Sequence, residues 1–329
     1  AVDHNAVNES SNSLSVSAWI TCVNNLLLMG ILFGVLVGVL LPLISEYGTG
    51  NTRVVGPSFF NAVTGPLFVA LIALIAFSLL VTPRLGNNCK RVVERFLRFA
   101  GLLGVLLGLV VAIGLWLMYP SHWLAPTGIG VSVSCIWLIG MRPLRLIYPG
   151  PLRALAQKGA WSRGLGGLRH SGGLIAHLGL AIMAIGIIAS ESYKSEFDVI
   201  LKSGECADVG PFSLELVQLN EGKRANYEMI RAQVALRHRG QSNVLVHLYP
   251  EFRFYPDLDQ TTSEVDIWGR FIGDVYLSFV GIEPVSESPA PTEKILPRAI
   301  FKVYVNPLQV WLWIGGALLI LGGIVAFIR

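Results

Sequence analysis

The stretch Leu174-Ile-Ala-His-Leu-Gly-Leu-Ala-Ile-Met-Ala-Ile-Gly-Ile-Ile-Ala189 contains one polar side chain, His177, and no charge. A bilayer crossing takes about 20 predominantly apolar residues, and the Ser and Gly flanks of this run bring it to that length. Composition shows that the run is no isolated core helix. Of the 329 residues, 53% are hydrophobic and 14% charged, against about 25% charged in a soluble domain. A water-soluble chain of this size would have too little polar surface to cover its core. A soluble enzyme, a disordered chain and a nucleic-acid binder are thereby excluded, and the sequence predicts an integral membrane protein.

Outward from this run, four further stretches read as spans: about 20–44, 62–81, 99–118 and, at the end of the chain, 310–328. A shorter segment, about 124–139, contains Pro126 and several Gly and Ser, and reads as a sixth span or as a re-entrant segment. The expected architecture is a polytopic α-helical membrane protein of about six transmembrane helices. It has a membrane domain over 1–190 with five spans, a β-rich extracytoplasmic domain over 191–305 between the last two spans, and a final helix over 306–329.

Charge supports that layout. Residues 191–305 hold 12 Lys/Arg and 17 Asp/Glu, a net of −5, which leaves 13 basic and 4 acidic residues, a net of +9, elsewhere. If six spans alternate, 12 of those 13 basic residues fall on one face, in the loops around Arg84–Arg98 and Arg142–Arg169 and at Arg329. The positive-inside rule makes that face cytoplasmic, or the matrix of a mitochondrion. The block 191–305 then lies outside. Its apolar and polar residues alternate over Phe212–Val217, Gln233–Arg237, Asn243–His247, Val275–Val280 and Ala299–Val305, the pattern of short antiparallel strands in a sandwich or barrel. Residues 284–296, with three prolines, read as an exposed loop.

Chemistry-bearing residues are few. The cysteines at 22, 89, 135 and 206 have neither metal-ligand nor CxxC spacing. The spans hold almost no ionisable residues, which argues against a proton-driven transporter. The chain begins at Ala1 without a signal-peptide pattern, so a processed N-terminus or a piece of something larger is expected. His177 stands alone in hydrocarbon, where an unbonded imidazole is costly. It either donates to a carbonyl of a neighbouring helix or serves as an axial ligand to haem iron, with Gly173 and Gly179 flanking it so that a helix or a flat macrocycle can approach. His170, seven residues earlier, lies about 10 Å along the axis at ~1.5 Å per residue, too far to share one iron. A second ligand to a haem on His177 is therefore expected from another chain. His122, in Tyr119-Pro-Ser-His-Trp123, reads as a surface residue beside interfacial aromatics or as a haem contact. In the outer block, Glu251, Arg253, Thr262, Glu264, Asp274 and Tyr276 cluster. They read either as strand-and-turn chemistry with local ion pairs or as a site.

Taken together and in order, several motifs resemble the C-terminal half of the cytochrome c haem lyase of the system I maturation pathway, the CcmF family, and its relative dedicated to nitrite reductase. They are Asn24-Asn25 opening a span, Gly56-Pro-Ser-Phe-Phe-Asn61, Ala176-His-Leu-Gly179, Pro250-Glu-x-Arg253-x-Tyr255, Thr262-Ser-Glu264, Asp274-x-Tyr276, Asn306-Pro307, Trp311-x-Trp313, and the pairs Gly315-Gly316 and Gly322-Gly323. The resemblance implies that His177 is one of two axial ligands of a resident haem b, which keeps an incoming haem iron reduced. That incoming haem is delivered by a membrane haem chaperone and joined to the CxxCH cysteines of an apocytochrome c. Arg253 is then structural, or a donor to a haem propionate.

The family's tryptophan-rich segment, its other membrane histidine and its two outer-surface histidines have no counterpart here. The resemblance accordingly implies a split-lyase subunit that is not competent alone. Its partners would be an N-terminal half carrying the tryptophan-rich segment, the haem chaperone, and apocytochrome c with its thioreduction and chaperone subunit. The setting would be the bacterial or mitochondrial inner membrane, with the soluble domain on the periplasmic or intermembrane-space side. The alternative function is a non-catalytic scaffold or accessory subunit of a membrane respiratory or assembly complex.

Overall fold

The computed structural model describes residues 4–81, 90–120, 123–141, 160–283 and 297–327, with side chains beginning at Val16 in the first helix, Phe99 in the third and Gly172 in the fifth. The helices are α1 (His4–Thr49), α2 (Pro57–Val81), α3 (Lys90–Met118), α4 (Leu124–Gly140), α5 (Ala160–Ser192) and α6 (Gln309–Phe327). Five of them, all but α4, contain a segment long and apolar enough to cross a membrane. Among the described residues ten strands lie between α5 and α6, so the chain is a polytopic helical membrane protein with a β-rich domain before its last span. The chain divides into two units, Ala1–Ile185 with Ile314–Arg329, and Gly186–Trp313. The basic loops 82–89 and 142–159 and the proline-rich loop 284–296 lie outside the described residues.

In the first unit, glycines set the helix packing. Without a hydrophobic drive between helices in lipid, association relies on close van der Waals approach, which small residues permit. Gly30, Gly34 and Gly38, every fourth residue on α1, face Leu67, Val63 and Phe60 of α2. That order makes the two helices antiparallel. Gly101, Gly104 and Gly108 of α3 face Leu138, Trp137 and Ser134 of α4, and the Trp137 indole N–H donates to the Ala100 carbonyl at 2.9 Å. The 17-residue α4 is thus sheathed by α3 along its length, and it also packs with α2, whose Ile72, Ala76 and Leu79 join Cys135, Leu138 and Ile139 in one apolar cluster. Its Ser132 and Ser134 are buried yet satisfied, each hydroxyl donating to the carbonyl four residues back. This wrapping explains how a helix short for a span sits among longer ones.

The second unit is a β-sandwich. One sheet has the order β1 (Ser195–Leu201), β10 (Ala299–Pro307), β9 (Gly273–Ile282), β8 (Asp266–Trp268). The other runs β2 (Cys206–Val209), β3 (Phe212–Lys223), β4 (Glu228–His238), β6 (Glu251–Tyr255), β7 (Gln260–Glu264), with β5 (Val244–Leu248) also on β4. Alternation builds the core. Leu214 and Leu216 of β3, Val234 and Leu236 of β4, Leu277 and Phe279 of β9, and Phe301 and Val303 of β10 all point inward and are fully buried. Phe279 stacks on Phe301 with ring centroids 5.1 Å apart.

The chain enters by β1 and leaves by β10, and these two strands are hydrogen-bonded neighbours, with Ser195 opposite Val305. Entry from α5 and exit to α6 therefore share one end of the sandwich. The β8–β9 hairpin turn lies at that same end, because Gly273 pairs with Pro307.

Candidate functional site

His177 sits on α5, whose faces divide the local chemistry. Gly172 and Gly179 lie against the backbone of α6: a Cβ on Gly172 would stand 2.5 Å from the Ala326 nitrogen and 2.8 Å from the Gly322 oxygen. A Cβ on Gly179 would stand 2.5 Å from the Leu319 nitrogen and 2.6 Å from the Gly315 oxygen. Gly186 continues the seam against Leu312. Of the two roles expected for Gly179, approach of a helix or of a macrocycle, it serves the first. On a second face, Leu174, Leu178 and Ala181 join the α2–α4 cluster.

His177 occupies neither face. At about 100° per residue it lies about 160° around the helix from the glycine seam, and its side chain is exposed. Gly173, one turn before it, borders open space: a Cβ there would meet no atom within 4 Å. The imidazole bonds within its own helix, not to a neighbour. Nδ1 stands 2.5 Å from the Gly173 carbonyl oxygen. A carbonyl only accepts, so Nδ1 carries the proton and, in the neutral ring, Nε2 holds the free lone pair. Fixing one ring nitrogen on a backbone carbonyl is how metal-binding histidines set their tautomer. An exposed imidazole with Nδ1 tied to a carbonyl, beside a bare glycine, therefore fits a flat, iron-centred macrocycle.

The remaining candidates are scattered. His122 lies outside the described residues, and His170 is placed only as part of helical α5. Asn24 and Asn25 fall on α1, half-buried and exposed respectively. Trp311 and Trp313 are in the first turns of α6. Among the described residues no group of three or more His, Cys, Asp or Glu is placed to hold a metal ion.

In the sandwich, β4, β6 and β7 bring together a charged ladder. Register sets Arg231 beside Glu251, Glu251 beside Glu264, and Arg253 beside Thr262, which is exposed. Glu251 is 7% exposed. The Arg231 Nε donates to its Oε1 at 2.7 Å, and the Arg253 Nε and guanidinium nitrogens reach its Oε2 at 2.9 and 2.8 Å. Arg253 also pairs with Glu264 at 3.1 Å and lies 4.8 Å from the centre of the Tyr227 ring. Burial alone would raise the Glu251 carboxyl, but the hydrogen bonds and charges of Arg253 and Arg231 outweigh it and hold the group below its ordinary value. The Arg253 guanidinium is correspondingly held protonated, chiefly by Glu251. Arg231 and Tyr227 were not among the sequence candidates. Their place in the ladder follows only from the β4–β6 register.

Asp274 stands apart from this ladder, opposite Asn306 on β10. Its Oδ1 is buried without a hydrogen-bond partner. Desolvation raises its carboxyl above the ordinary value of 3.8, only partly offset by the Asn306 side chain and its own backbone. A raised acid favours the fold in its neutral form. That contribution is fully present below pH 3.8 and is lost as pH rises through the raised value. Asp274→Asn is therefore expected to raise the thermal midpoint at pH 7 by a few degrees and to leave it little changed at acid pH. Equal shifts at both values, in a melt followed by intrinsic fluorescence, would remove Asp274 as the titrating group.

Residues 192–307 match the family model described as the CcmF C-terminal beta-sandwich. The chain is 29% identical over 306 residues to the cytochrome c-type biogenesis protein CycK of Rhizobium meliloti (strain 1021), covering 92% of this chain and 42% of the relative. It is 28% identical over 323 residues to the cytochrome c-type biogenesis protein CcmF of Escherichia coli (strain K12), covering 98% and 45%. The chain is similar to the CcmF proteins over nearly its whole length, and its sandwich matches their C-terminal one. A solved structure titled Cytochrome c Heme Lyase CcmF shares the fold, with a TM-score of 0.61, 21% identity, and coverage of 93% of this chain and 45% of the other. The chain thus spans under half the length of the relatives it matches.

Proposed function

We propose that this chain is the C-terminal half of a membrane haem lyase of cytochrome c biogenesis, and that His177 is one of two axial ligands of a resident haem b. The observation that carries this reading is the imidazole itself: exposed on its helix, with Nδ1 tied to the Gly173 carbonyl and open space beside Gly173. α5 presents His177 on a face that a second haem-binding segment can cover. When bound, the haem supplies a one-electron redox centre. The part of this chain is to hold one axial nitrogen in a fixed tautomer and to keep Gly173 clear for the ring. The sandwich, with Arg253 committed to Glu251 and Glu264, serves as a scaffold on the periplasmic or intermembrane-space side, opposite the basic loops. Attachment of a second haem to apocytochrome c cysteines, with the haem chaperone and thioreduction subunit, belongs to the assembled lyase.

The test uses the chain purified with its partner half. His177→Ala is expected to remove the reduced α and Soret bands of the b-haem almost completely, while the two halves still co-purify. His177→Gly with added imidazole is expected to restore them in part. Persistence of the spectrum in both variants would show that the ligand lies elsewhere.

A further inference from the structure

The turn between β8 and β9, Gly269-Arg270-Phe271-Ile272, exposes large apolar side chains at the end of the sandwich where the chain enters and leaves. Phe271 is 62% and Ile272 73% exposed. A soluble surface has no need for two adjacent exposed residues of this size, and here the backbone fixes them. The Leu308 N–H donates to the Ile272 carbonyl at 2.8 Å, and the Trp311 indole N–H donates to the Phe271 carbonyl at 3.1 Å. The Phe271 and Trp311 rings lie 5.4 Å apart. Trp311 is the third residue of α6, whose whole length is apolar enough to cross a membrane. The turn is therefore held at the depth at which α6 begins, beside a tryptophan of the type that marks the headgroup level. Arg270 folds away from the tip, its guanidinium 4.3 Å from the centre of the Trp268 ring, so Phe271 and Ile272 form the end of the hairpin.

We propose that this turn is a lipid anchor: Phe271 and Ile272 insert into the headgroup–acyl boundary of the leaflet that α6 enters, with the bilayer as their partner. The sandwich then has a third attachment to the bilayer beside the ends of α5 and α6. The proposal rests on the continuity of the turn with the start of a span, and it is independent of haem.

The test uses the full chain in phosphatidylcholine/phosphatidylglycerol vesicles, with Cys22, Cys89 and Cys206 replaced by serine and buried Cys135 retained. A fluorescent label is placed on Ile272→Cys and, as a reference, on Leu258→Cys. Leu258 is 65% exposed and precedes β7, up to about 30 Å from the turn at ~3.3 Å per residue along β7 and β8. Nitroxide lipid labelled near the headgroup is expected to quench the Ile272 label at least about twofold more than the Leu258 label, and aqueous iodide to show the reverse order, as a residue buried about 5–10 Å into the interface requires. An Ile272 label quenched by iodide as strongly as that at Leu258 would place the turn in water and overturn the proposal. A label protected from both quenchers would show protein, not lipid, covering the turn, and would overturn it equally.

Discussion

Glu251→Ala is expected to cost the sandwich about 1–3 kcal/mol, between the ranges for exposed and for buried ion pairs, because Arg231 and Arg253 remain partly open to water. The reason is asymmetry. Glu251 is the buried member and serves two guanidiniums at once, so its loss leaves Arg231 and Arg253 side by side without the charge that holds them. Arg253 keeps Glu264, but only at its exposed edge. Arg253→Ala is milder, because Arg231 remains on Glu251. Glu251→Gln falls between, since an amide keeps the shape but offers one acceptor oxygen and turns an NH2 toward a cation. The order Ala, Gln, then Arg253→Ala, from most to least destabilised, is readable as thermal midpoints of the detergent-solubilised protein. The acid limb adds a sign. Because the Glu251 carboxyl is held below its ordinary value of 4.5, its stabilising contribution is complete above that pH and disappears as pH falls through the lowered value. The gap between wild type and Glu251→Gln should accordingly close in acid. A gap that stays constant down to the acid transition would mean that the ionised pair is not what stabilises β4 against β6. An Arg253→Ala protein with unchanged midpoint and intact b-haem, yet inactive in cytochrome c assembly, would move Arg253 from scaffold to ligand contact.

Gly179→Val is expected to be as damaging in the membrane unit. The new Cβ would meet backbone atoms of α6 at 2.5 and 2.6 Å, and backbone cannot rotate aside, so the helices must separate. Overpacking commonly costs about 1–3 kcal/mol and sometimes more, and helix pairs in lipid have little hydrophobic drive to restore contact. The same logic yields internal controls. Gly315 packs against Met183 and Gly179, whereas a Cβ on Gly316, the next residue, would meet nothing within 4 Å. Gly315→Val should therefore broaden and lower the detergent melting curve while Gly316→Val leaves it unchanged. Gly173→Val is the instructive case: open space around it predicts normal stability, while the added bulk beside His177 predicts loss of bound haem. Equal destabilisation by valine at 179 and 316 would refute the seam.

Much of this architecture was legible in the sequence, because bilayer physics is coarse. A span needs only length and apolarity, and the six helices fall on the six apolar stretches. Their ends were not legible: α1 runs His4–Thr49 and α3 starts at Lys90, since backbone hydrogen bonding continues a helix past the point where hydropathy stops. In the sandwich, strands with one buried face, such as β3, β9 and β10, announced themselves by alternation. β7, Gln260–Glu264, is exposed at every position and has no apolar period to detect. The charged cluster was visible as residue types, but the pairing of Arg231 with Glu251 is a matter of register between segments twenty residues apart, and single-sequence patterns do not carry register. The seven-residue spacing of Gly172, Gly179 and Gly186, matched by Gly315 and Gly322, was a readable signal of the α5–α6 seam. Its consequence, that His177 is left on the opposite face, required only helix arithmetic.

The pairing of β1 with β10 has an evolutionary side. Ser195 and Val305 face each other at the spacing of adjacent strands, about 5 Å, so the whole β-sandwich is joined to its flanking helices across a gap that a two-residue hairpin could close. A module with such closely spaced ends can be gained, lost or exchanged in one genetic event without redirecting the helices that flank it.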